Sequence, residues 1–124
     1  MNLTVYQYPQ CGTCRQAIRW LKDRGRNIEP VHIVEHPPTE DELKRLIATS
    51  GLSVDKFFNT SGEVYRQMGL KDRLRDMNDE EKIRLLASNG KLLKRPIVTD
   101  GQKTTVGFKA DAFEQAWQTA DTLR

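Results

Sequence analysis

The sequence predicts an α/β fold in which a β-α-β unit opens the chain and a β-β-α unit closes it, with an inserted helical block between them. Three observations predict this order. The first forty residues hold two β-rich segments on either side of a helical pattern. Positions 39 to 93 then carry helix caps and helical spacing, and a hairpin pattern follows. A strand–helix–strand opening implies that its two strands pair in parallel.

The opening unit begins with a strand over residues 3–8, whose sequence Leu-Thr-Val-Tyr-Gln-Tyr is rich in β-forming side chains. Residues 9–12 form a turn. From Thr13 the apolar residues take helical spacing, and Gly25 ends this helix. Residues 31–34, with the sequence Val-His-Ile-Val, predict the second strand, which ends before two prolines.

The helical block begins at Thr39, where a Thr-Glu-Asp-Glu capping box predicts a helix that ends before Gly51. Residues 52–77 carry several turn signals and only short helical patterns. A further helix, capped by Asn78 or Asp79, ends at an Asn-Gly pair.

The closing unit is a hairpin followed by a helix. Residues 97–99 and 104–106 are rich in β-branched side chains, and an Asp-Gly pair between them predicts a turn. The spacing of Ala110, Phe113 and Trp117 predicts a closing helix that runs to the C-terminus.

Composition favours one domain over residues 1–124, since chains of this length seldom divide. The apolar share of 37% is too high for intrinsic disorder, and no apolar run is long enough to span a bilayer. No basic segment precedes an apolar one at the start, so we expect no secretory signal and a cytoplasmic protein. The net charge of +3 without a dense basic stripe argues against direct nucleic-acid binding.

The two cysteines, Cys11 and Cys14, are too few for an extracellular disulfide scaffold. They form either half of a metal site or a redox dithiol, with an inert buried pair as the third alternative. A structural zinc site needs about four nitrogen or sulfur ligands. His32 and His36 are expected on the surface of a strand and a loop and share no helix face, so we expect no metal and no cofactor.

A redox role has a physical basis in the predicted position of Cys11 at the start of a helix. Free N–H groups and the helix dipole stabilise a thiolate there, and Gly12 permits close backbone approach. The cation Arg15 follows four residues later, and such surroundings lower a cysteine pKa. Cys14 lies one turn on, within reach of Cys11. We expect Cys11 to be an exposed nucleophile and Cys14 a more buried resolving thiol.

The dipeptide Arg95-Pro96 is the second candidate site. A proline after a helical block and before a strand is a candidate cis proline facing the cysteine turn. Arg95 would then direct its guanidinium towards an anion or the thiolate of Cys11. The alternative is a surface arginine in a basic cluster with Lys91 and Lys94.

Two further features have an ordinary interpretation and a functional one. The turn from Asn59 to Gly62 is typical of a helix cap, and it could also lie beside the active-site cleft. The larger aromatic residues are expected to pack in or near the core rather than to form a stacking platform. They are Trp20, Phe57, Phe58, Tyr65, Phe113 and Trp117.

Three motifs in order along the chain resemble those of the arsenate reductase (ArsC) and Spx-type family. They are Pro9-x-Cys11-Gly12-Thr13-Cys14-Arg15, Phe58-Asn59-Thr60-Ser61-Gly62 with Tyr65-Arg66, and Leu92-Leu93-Lys94-Arg95-Pro96-Ile97 with Val106-Gly107-Phe108. The resemblance implies a thioredoxin-like fold with a helical insertion and a cis Arg95-Pro96 bond beside the cysteine. The closest match is to a branch that carries both cysteines.

Resemblance to the arsenate reductases implies a catalytic role for Cys11, with thioredoxin, glutaredoxin or a low-molecular-weight thiol as the reductant. These enzymes bind the oxyanion with three arginines, of which Arg95 matches one. The other two positions fall at Asn59 and at or near Phe108, which carry no charge, and a serine is usual at the position of Cys14. This branch of the resemblance implies a thiol-disulfide redox protein that reduces an oxidised or oxyanion substrate.

Resemblance to the Spx-type regulators implies a different function. Those proteins use oxidation of a Cys-x-x-Cys pair to tune binding to the C-terminal domain of the RNA polymerase α-subunit. The glycine that they use at this interface aligns near Ser53. The sequence therefore supports two hypotheses, a thiol oxidoreductase and a redox-switched regulator, beside the inert or zinc-bound scaffold.

Overall fold

A computed structural model describes residues 2–117 and contains a four-stranded mixed sheet. The strands are β1 (Leu3–Gln7), β2 (Ile28–His32), β3 (Ile97–Thr99) and β4 (Thr104–Val106). Their order across the sheet is β2-β1-β3-β4; β1 pairs in parallel with β2 and antiparallel with β3, and β3 pairs antiparallel with β4. The predicted α/β fold with its β-α-β opening and β-β-α close is confirmed.

The helices lie between and after these strands. They are α1 (Gly12–Asp23), α2 (Glu40–Ser50), α3 (Glu63–Gln67), α4 (Leu70–Arg73), α5 (Asp79–Ser88) and α6 (Ala110–Ala116), with 3-10 turns at Val54–Phe57, Leu74–Asp76 and Gly90–Leu92. Helices α2 to α5 all fall between β2 and β3, which confirms the inserted helical block.

Both long insertion helices begin at predicted caps. The Thr39 hydroxyl accepts from the Glu42 N–H at 3.1 Å, and the Glu42 carboxylate accepts from the Thr39 N–H at 2.9 Å. Asn78 and Glu81 form the same reciprocal pair at the start of α5. Such capping boxes satisfy N–H groups that a helix leaves without a backbone partner.

The second strand is the one element whose predicted position was wrong. It spans Ile28–His32 rather than 31–34, because Pro30 obscures the β pattern in the sequence. Pro30 lies opposite Val5 of β1 and occupies an edge strand, where its missing N–H interrupts no further pairing. The chain then turns at His32, whose Nδ1 accepts hydrogen bonds from the two backbone N–H groups that follow Ile33.

The hairpin prediction is confirmed, although its loop has four residues, 100–103, rather than a tight Asp-Gly turn. The Asp100 carboxylate accepts from the backbone N–H groups of Gln102 and Lys103, each at 2.8 Å. Gly101 takes a φ of 93°, a left-handed conformation that favours glycine.

The sheet separates two hydrophobic cores. One core lies under the helical insertion and includes Tyr6 of β1 and Ile97 of β3. The other lies under α1 and α6 and includes Val5 and Val98, the neighbours of those two residues. Successive strand residues point to opposite faces, so β1 and β3 each contribute to both cores. The second core holds α1 against the sheet through Ala17 and Leu21, and this helix carries Cys14 and is capped by Cys11.

The expected packing of the aromatic residues is confirmed for all six: four are buried and two are half-buried. The Trp117 indole N–H donates to the Thr105 hydroxyl at 2.9 Å. Helix α6 ends at Ala116, and the remainder of the predicted closing helix, residues 118–124, lies outside the described residues. Within residues 2–117, no helix is both long and apolar enough to cross a membrane.

Candidate active site

Cys11 lies in the turn between β1 and α1 and is the N-cap residue of that helix. Its backbone N–H donates to the Tyr8 carbonyl at 2.9 Å, which closes the turn. Its sulfur accepts a hydrogen bond from the Cys14 N–H at 3.3 Å. A sulfur in this position takes up an otherwise free N–H at the positive end of the helix dipole, and both effects favour the thiolate.

Cys14 lies one helical turn later and is 1% exposed, whereas Cys11 is half-buried, and both are free thiols. The Cys14 side chain is buried and hydrogen-bonds to the Cys11 sulfur. The pair therefore combines one sulfur open to solvent with one sulfur held behind it.

The pKa of Cys11 is lowered from its ordinary value. Burial alone would raise it, but hydrogen bonds from the Cys14 thiol and the Cys14 N–H outweigh that effect, together with the charge and a hydrogen bond of Arg95. The pKa of Cys14 is raised to about 12, mainly by burial and further by the hydrogen bond and negative charge at Cys11. At neutral pH the first sulfur is thus the stronger nucleophile.

Arg95 faces the cysteine turn. Of its two predicted positions, beside Cys11 or in a surface cluster with Lys91 and Lys94, the structure shows the first. Its bond to Pro96 is cis, as the resemblance implied. The guanidinium lies over the Tyr8 ring, 5.0 Å from the centroid, and donates to the Leu93 carbonyl at 3.4 Å. Pro96 itself is buried, and its carbonyl accepts from the Gly107 N–H at 2.8 Å.

Arg15, which we expected to act on the thiolate, has a different contact. Its guanidinium donates to the Pro9 carbonyl at 2.8 Å and so braces the turn, while the cation that lowers the pKa of Cys11 is Arg95. Gly12 is exposed, and a Cβ there would meet Arg15 at an ordinary 3.8 Å, so sterics do not require glycine at that position.

A cleft of about 560 Å³ opens beside Cys11. Thr13, Asn59 and Arg95 line it together with Cys11, so four of the predicted site residues share one cavity. The Asn59 side chain packs against Gly62, where a Cβ would lie only 2.8 Å from the amide nitrogen. The turn that begins at Asn59 therefore lies beside the cleft, the second of its two interpretations.

Three lysines that the sequence did not predict as site residues line the cleft. Lys56, Lys94 and Lys109, here called the cleft lysines, come from three separate segments. Lys94 stands beside Arg95 in the third motif, but no local pattern marks Lys56 or Lys109, because the three segments share one cavity only in the folded chain. Within residues 2–117, no group of three His, Cys, Asp or Glu side chains is arranged to hold a metal ion.

Comparison with known proteins assigns the chain that carries this site to a family. The model of the ArsC family matches residues 6–116, which include both cysteines, Asn59 and Arg95. The chain belongs to the ArsC family.

Relatives in this family differ in what their names state. The chain is 55% identical to the uncharacterized protein YusI of Bacillus subtilis over 94% of its own length and 99% of that protein. It is 31% identical to the Bacillus subtilis regulatory protein MgsR, covering 86% of this chain and 83% of the relative. It is 35% identical to an arsenate reductase of Escherichia coli K12, covering 78% of this chain and 67% of the relative.

A solved ArsC family related protein from Bacteroides fragilis shares the fold with a TM-score of 0.89. That protein is 46% identical to this chain, and the match covers 93% of this chain and 97% of the solved one. The fold is thus the thioredoxin-like fold of ArsC-family structures.

The structure also locates the two uncharged positions that the resemblance matched to arginines. Asn59 and Phe108 both line the cleft. The Phe108 ring packs on Phe113 with centroids 4.8 Å apart, so that side of the cleft presents an apolar surface. In this member of the ArsC family, Arg95 is the one cation at the three matched positions.

Proposed function

We propose that this chain is a thiol–disulfide oxidoreductase in which Cys11 attacks an oxidised substrate and Cys14 resolves the adduct. The observation that carries the proposal is a pair of neighbouring thiols with opposed pKa shifts: the pKa of Cys11, which lines the cleft, is lowered, and the pKa of Cys14, which is buried, is raised to about 12. A thiol attacks as its thiolate, so the lowered pKa favours attack by Cys11, and the raised pKa of Cys14 keeps that thiol from competing for the substrate.

The cycle balances in two exchanges. The Cys11 thiolate attacks one sulfur of a disulfide, forms a mixed disulfide and releases the other sulfur as a thiolate, which takes a proton from solvent. Cys14 then loses its proton and attacks Cys11, which forms the Cys11–Cys14 disulfide and releases the second substrate thiolate. Two electrons pass to the substrate, and thioredoxin, glutaredoxin or a low-molecular-weight thiol restores the dithiol. Such a cycle suits a reducing compartment such as the cytoplasm.

The proposed role of Arg95 is electrostatic. Its guanidinium lowers the pKa of Cys11 and is available to an anionic group of the substrate at the same place. Arsenate is a poor candidate substrate, because Asn59 and Phe108 supply no charge where the resemblance matched arginines. Each missing charge-assisted hydrogen bond is worth about 1.5–3 kcal/mol.

The test is turnover of hydroxyethyl disulfide and of arsenate, each coupled to thioredoxin or glutaredoxin, by the wild type, Cys11→Ser and Cys14→Ser. We expect the wild type to reduce the disulfide and both variants to lose that activity. Full activity of Cys14→Ser with glutaredoxin would remove Cys14 from the mechanism, and an active Cys11→Ser would defeat the proposal.

A second function is supported by the 31% identity to the regulatory protein MgsR. In that alternative the same cysteine pair is a switch, and its oxidation changes binding to the C-terminal domain of the RNA polymerase α-subunit. A pull-down with that domain, under reducing and oxidising conditions, separates the two functions. Absence of binding in both states would rule out the regulator.

A further inference from the structure

The cleft beside Cys11 is much larger than an inorganic oxyanion requires. Its volume is about 560 Å³, which lies within the range of pockets for organic ligands, about 300–1,000 Å³. A tetrahedral oxyanion takes roughly the room of two or three water molecules, each about 30 Å³. Such an ion would leave most of the cleft to solvent.

The charge of the cleft wall is of one sign. The three cleft lysines are exposed and stand around the cavity with Arg95, and the lining drawn from residues 2–117 includes no Asp or Glu. Asp55, the sequence neighbour of Lys56, is engaged elsewhere in an ion pair with Lys82 at 2.8 Å. The positive charge of the cleft lysines therefore faces the cavity without an acidic residue in its wall, and it favours an occupant with more than one negative charge.

The remaining wall is apolar. Leu52 is 41% exposed at the cleft, and the half-buried side chains of Val106 and Phe108 also line it. An exposed leucine beside partly exposed valine and phenylalanine side chains favours contact with carbon atoms rather than with water. The occupant that fits is thus an organic molecule with anionic groups.

We infer that the substrate of this cleft is a small organic disulfide that carries carboxylate or phosphate groups on both sides of its sulfur atoms. The inference rests on the proposed function and adds the substrate class. The apolar wall contacts the carbon chain, the cleft lysines bind the anionic groups, and Cys11 attacks the nearer sulfur as in the cycle described above. Both thiols released from the substrate keep their anionic groups.

The test compares matched pairs of disulfides that differ in charge. Dithiodipropionate is paired with hydroxyethyl disulfide for carboxylates, and the disulfide of phosphopantetheine is paired with pantethine for phosphates. Stopped-flow rates for the reduced chain are divided by the rates of the same disulfides with free mercaptoethanol. We expect the normalised rate of an anionic member to exceed that of its neutral partner roughly tenfold at low salt, and the ratio to shrink in high salt.

Charge variants assign the effect to the cleft. The test variant combines Lys56→Gln, Lys94→Gln and Lys109→Gln, and the matched control combines Lys22→Gln, Lys44→Gln and Lys71→Gln, which lie outside the cleft wall. Both triple variants lose three positive charges. We expect the anionic-to-neutral rate ratio to fall towards one in the test variant and to stay near the wild-type value in the control.

The outcomes are distinct. Equal normalised rates for both members of each pair overturn the inference while leaving the proposed function intact. A ratio that falls equally in both triple variants overturns it too, since the effect would then belong to net charge. A chain that reduces no disulfide and forms no bond between Cys11 and Cys14 defeats the proposed function and the inference together.

Discussion

At the scale of single residues, the proposed chemistry depends on a difference between two sulfurs that are one helical turn apart. The Cys11 sulfur receives hydrogen bonds from Cys14 and lies near Arg95, so its pKa is lowered. Burial raises the pKa of Cys14 to about 12, even though a hydrogen bond to the Tyr8 backbone lowers it. The same sequence motif thus contains one thiol that ionises more readily than an ordinary cysteine and one that ionises less readily.

The first prediction concerns which arginine controls Cys11. The rate of iodoacetamide alkylation follows the thiolate fraction, so its midpoint in pH reports the pKa of the exposed thiol. Arg95→Gln removes a cation that favours the thiolate, and we expect the midpoint to rise. Arg15→Gln, with the same loss of charge, is the control and should leave the midpoint near that of the wild type. A midpoint that rises in Arg15→Gln and not in Arg95→Gln would show that Arg15, rather than Arg95, lowers the pKa of Cys11.

The second prediction concerns the resolving step. Because the pKa of Cys14 is about 12, its thiolate fraction rises about tenfold per unit of pH from pH 7 to pH 9. Burial, the main cause of the shift, persists when Cys11 is in a mixed disulfide. We expect the rate of formation of the Cys11–Cys14 disulfide from a preformed mixed disulfide to rise with the same slope. Acid quench and mass spectrometry measure this rate, and a flat profile would contradict the role of the buried thiol.

At the scale of elements, the site depends on how the insertion meets the end of β2. The 3-10 turn Gly90–Leu92 crosses the residue after that strand so closely that a Cβ at Gly90 would lie 1.9 Å from the Ile33 carbonyl oxygen. The Leu92 carbonyl accepts from the Asn59 N–H at 2.8 Å, which ties this turn to the cleft. Only glycine permits this contact, because any side chain there would push the backbone apart.

The third prediction uses this contact. Gly90→Ala must displace backbone in a packed region, and we expect a loss of about 1–3 kcal/mol in the free energy of unfolding. Gly12→Ala is the matched control, since the nearest atom to its Cβ is 3.8 Å away, and its effect should stay within about 0.5 kcal/mol. Urea denaturation measures both values. Equal effects of the two substitutions would contradict the contact at Gly90.

At the scale of the whole molecule, the four-stranded sheet joins two cores. Leu21 of α1 lies in one core and Leu86 of α5 lies in the other, and both are fully buried. Since Val5 and Tyr6 are adjacent on β1 but belong to different cores, loss of one core exposes a face of the sheet that supports the other. We therefore expect the insertion and the rest of the chain to unfold together, as one domain.

The fourth prediction tests this coupling. Leu21→Ala and Leu86→Ala each leave a cavity, and each should lower the free energy of unfolding by about 2–5 kcal/mol. If the cores are coupled, thermal unfolding shows one transition, and both substitutions lower its midpoint. Differential scanning calorimetry measures the number of transitions and their midpoints. Two separate transitions, each sensitive to one substitution, would mean that the insertion unfolds on its own.

Much of the fold was predictable because its signals are local. Thr39 and Asn78 cap their helices by hydrogen bonds with the residue three positions later. The buried face of α1 follows from the spacing of apolar residues within that one helix. The misplaced strand shows the limit of such reasoning. Pro30 is unfavourable in a central strand and tolerated at an edge, and the position of β2 in the sheet is a property of the whole molecule.

The amino-acid sequence alone determined the order of elements, the place of Cys11 at a helix start and the spacing of Cys14 one turn away. Only the tertiary structure decided that Arg95 rather than Arg15 acts on Cys11, and that three lysines from distant segments surround the same cavity. The physical reason is the distance along the chain over which each signal acts. Helix caps and helix periodicity involve residues a few positions apart, whereas charged side chains from distant segments line one cleft only after the chain has folded.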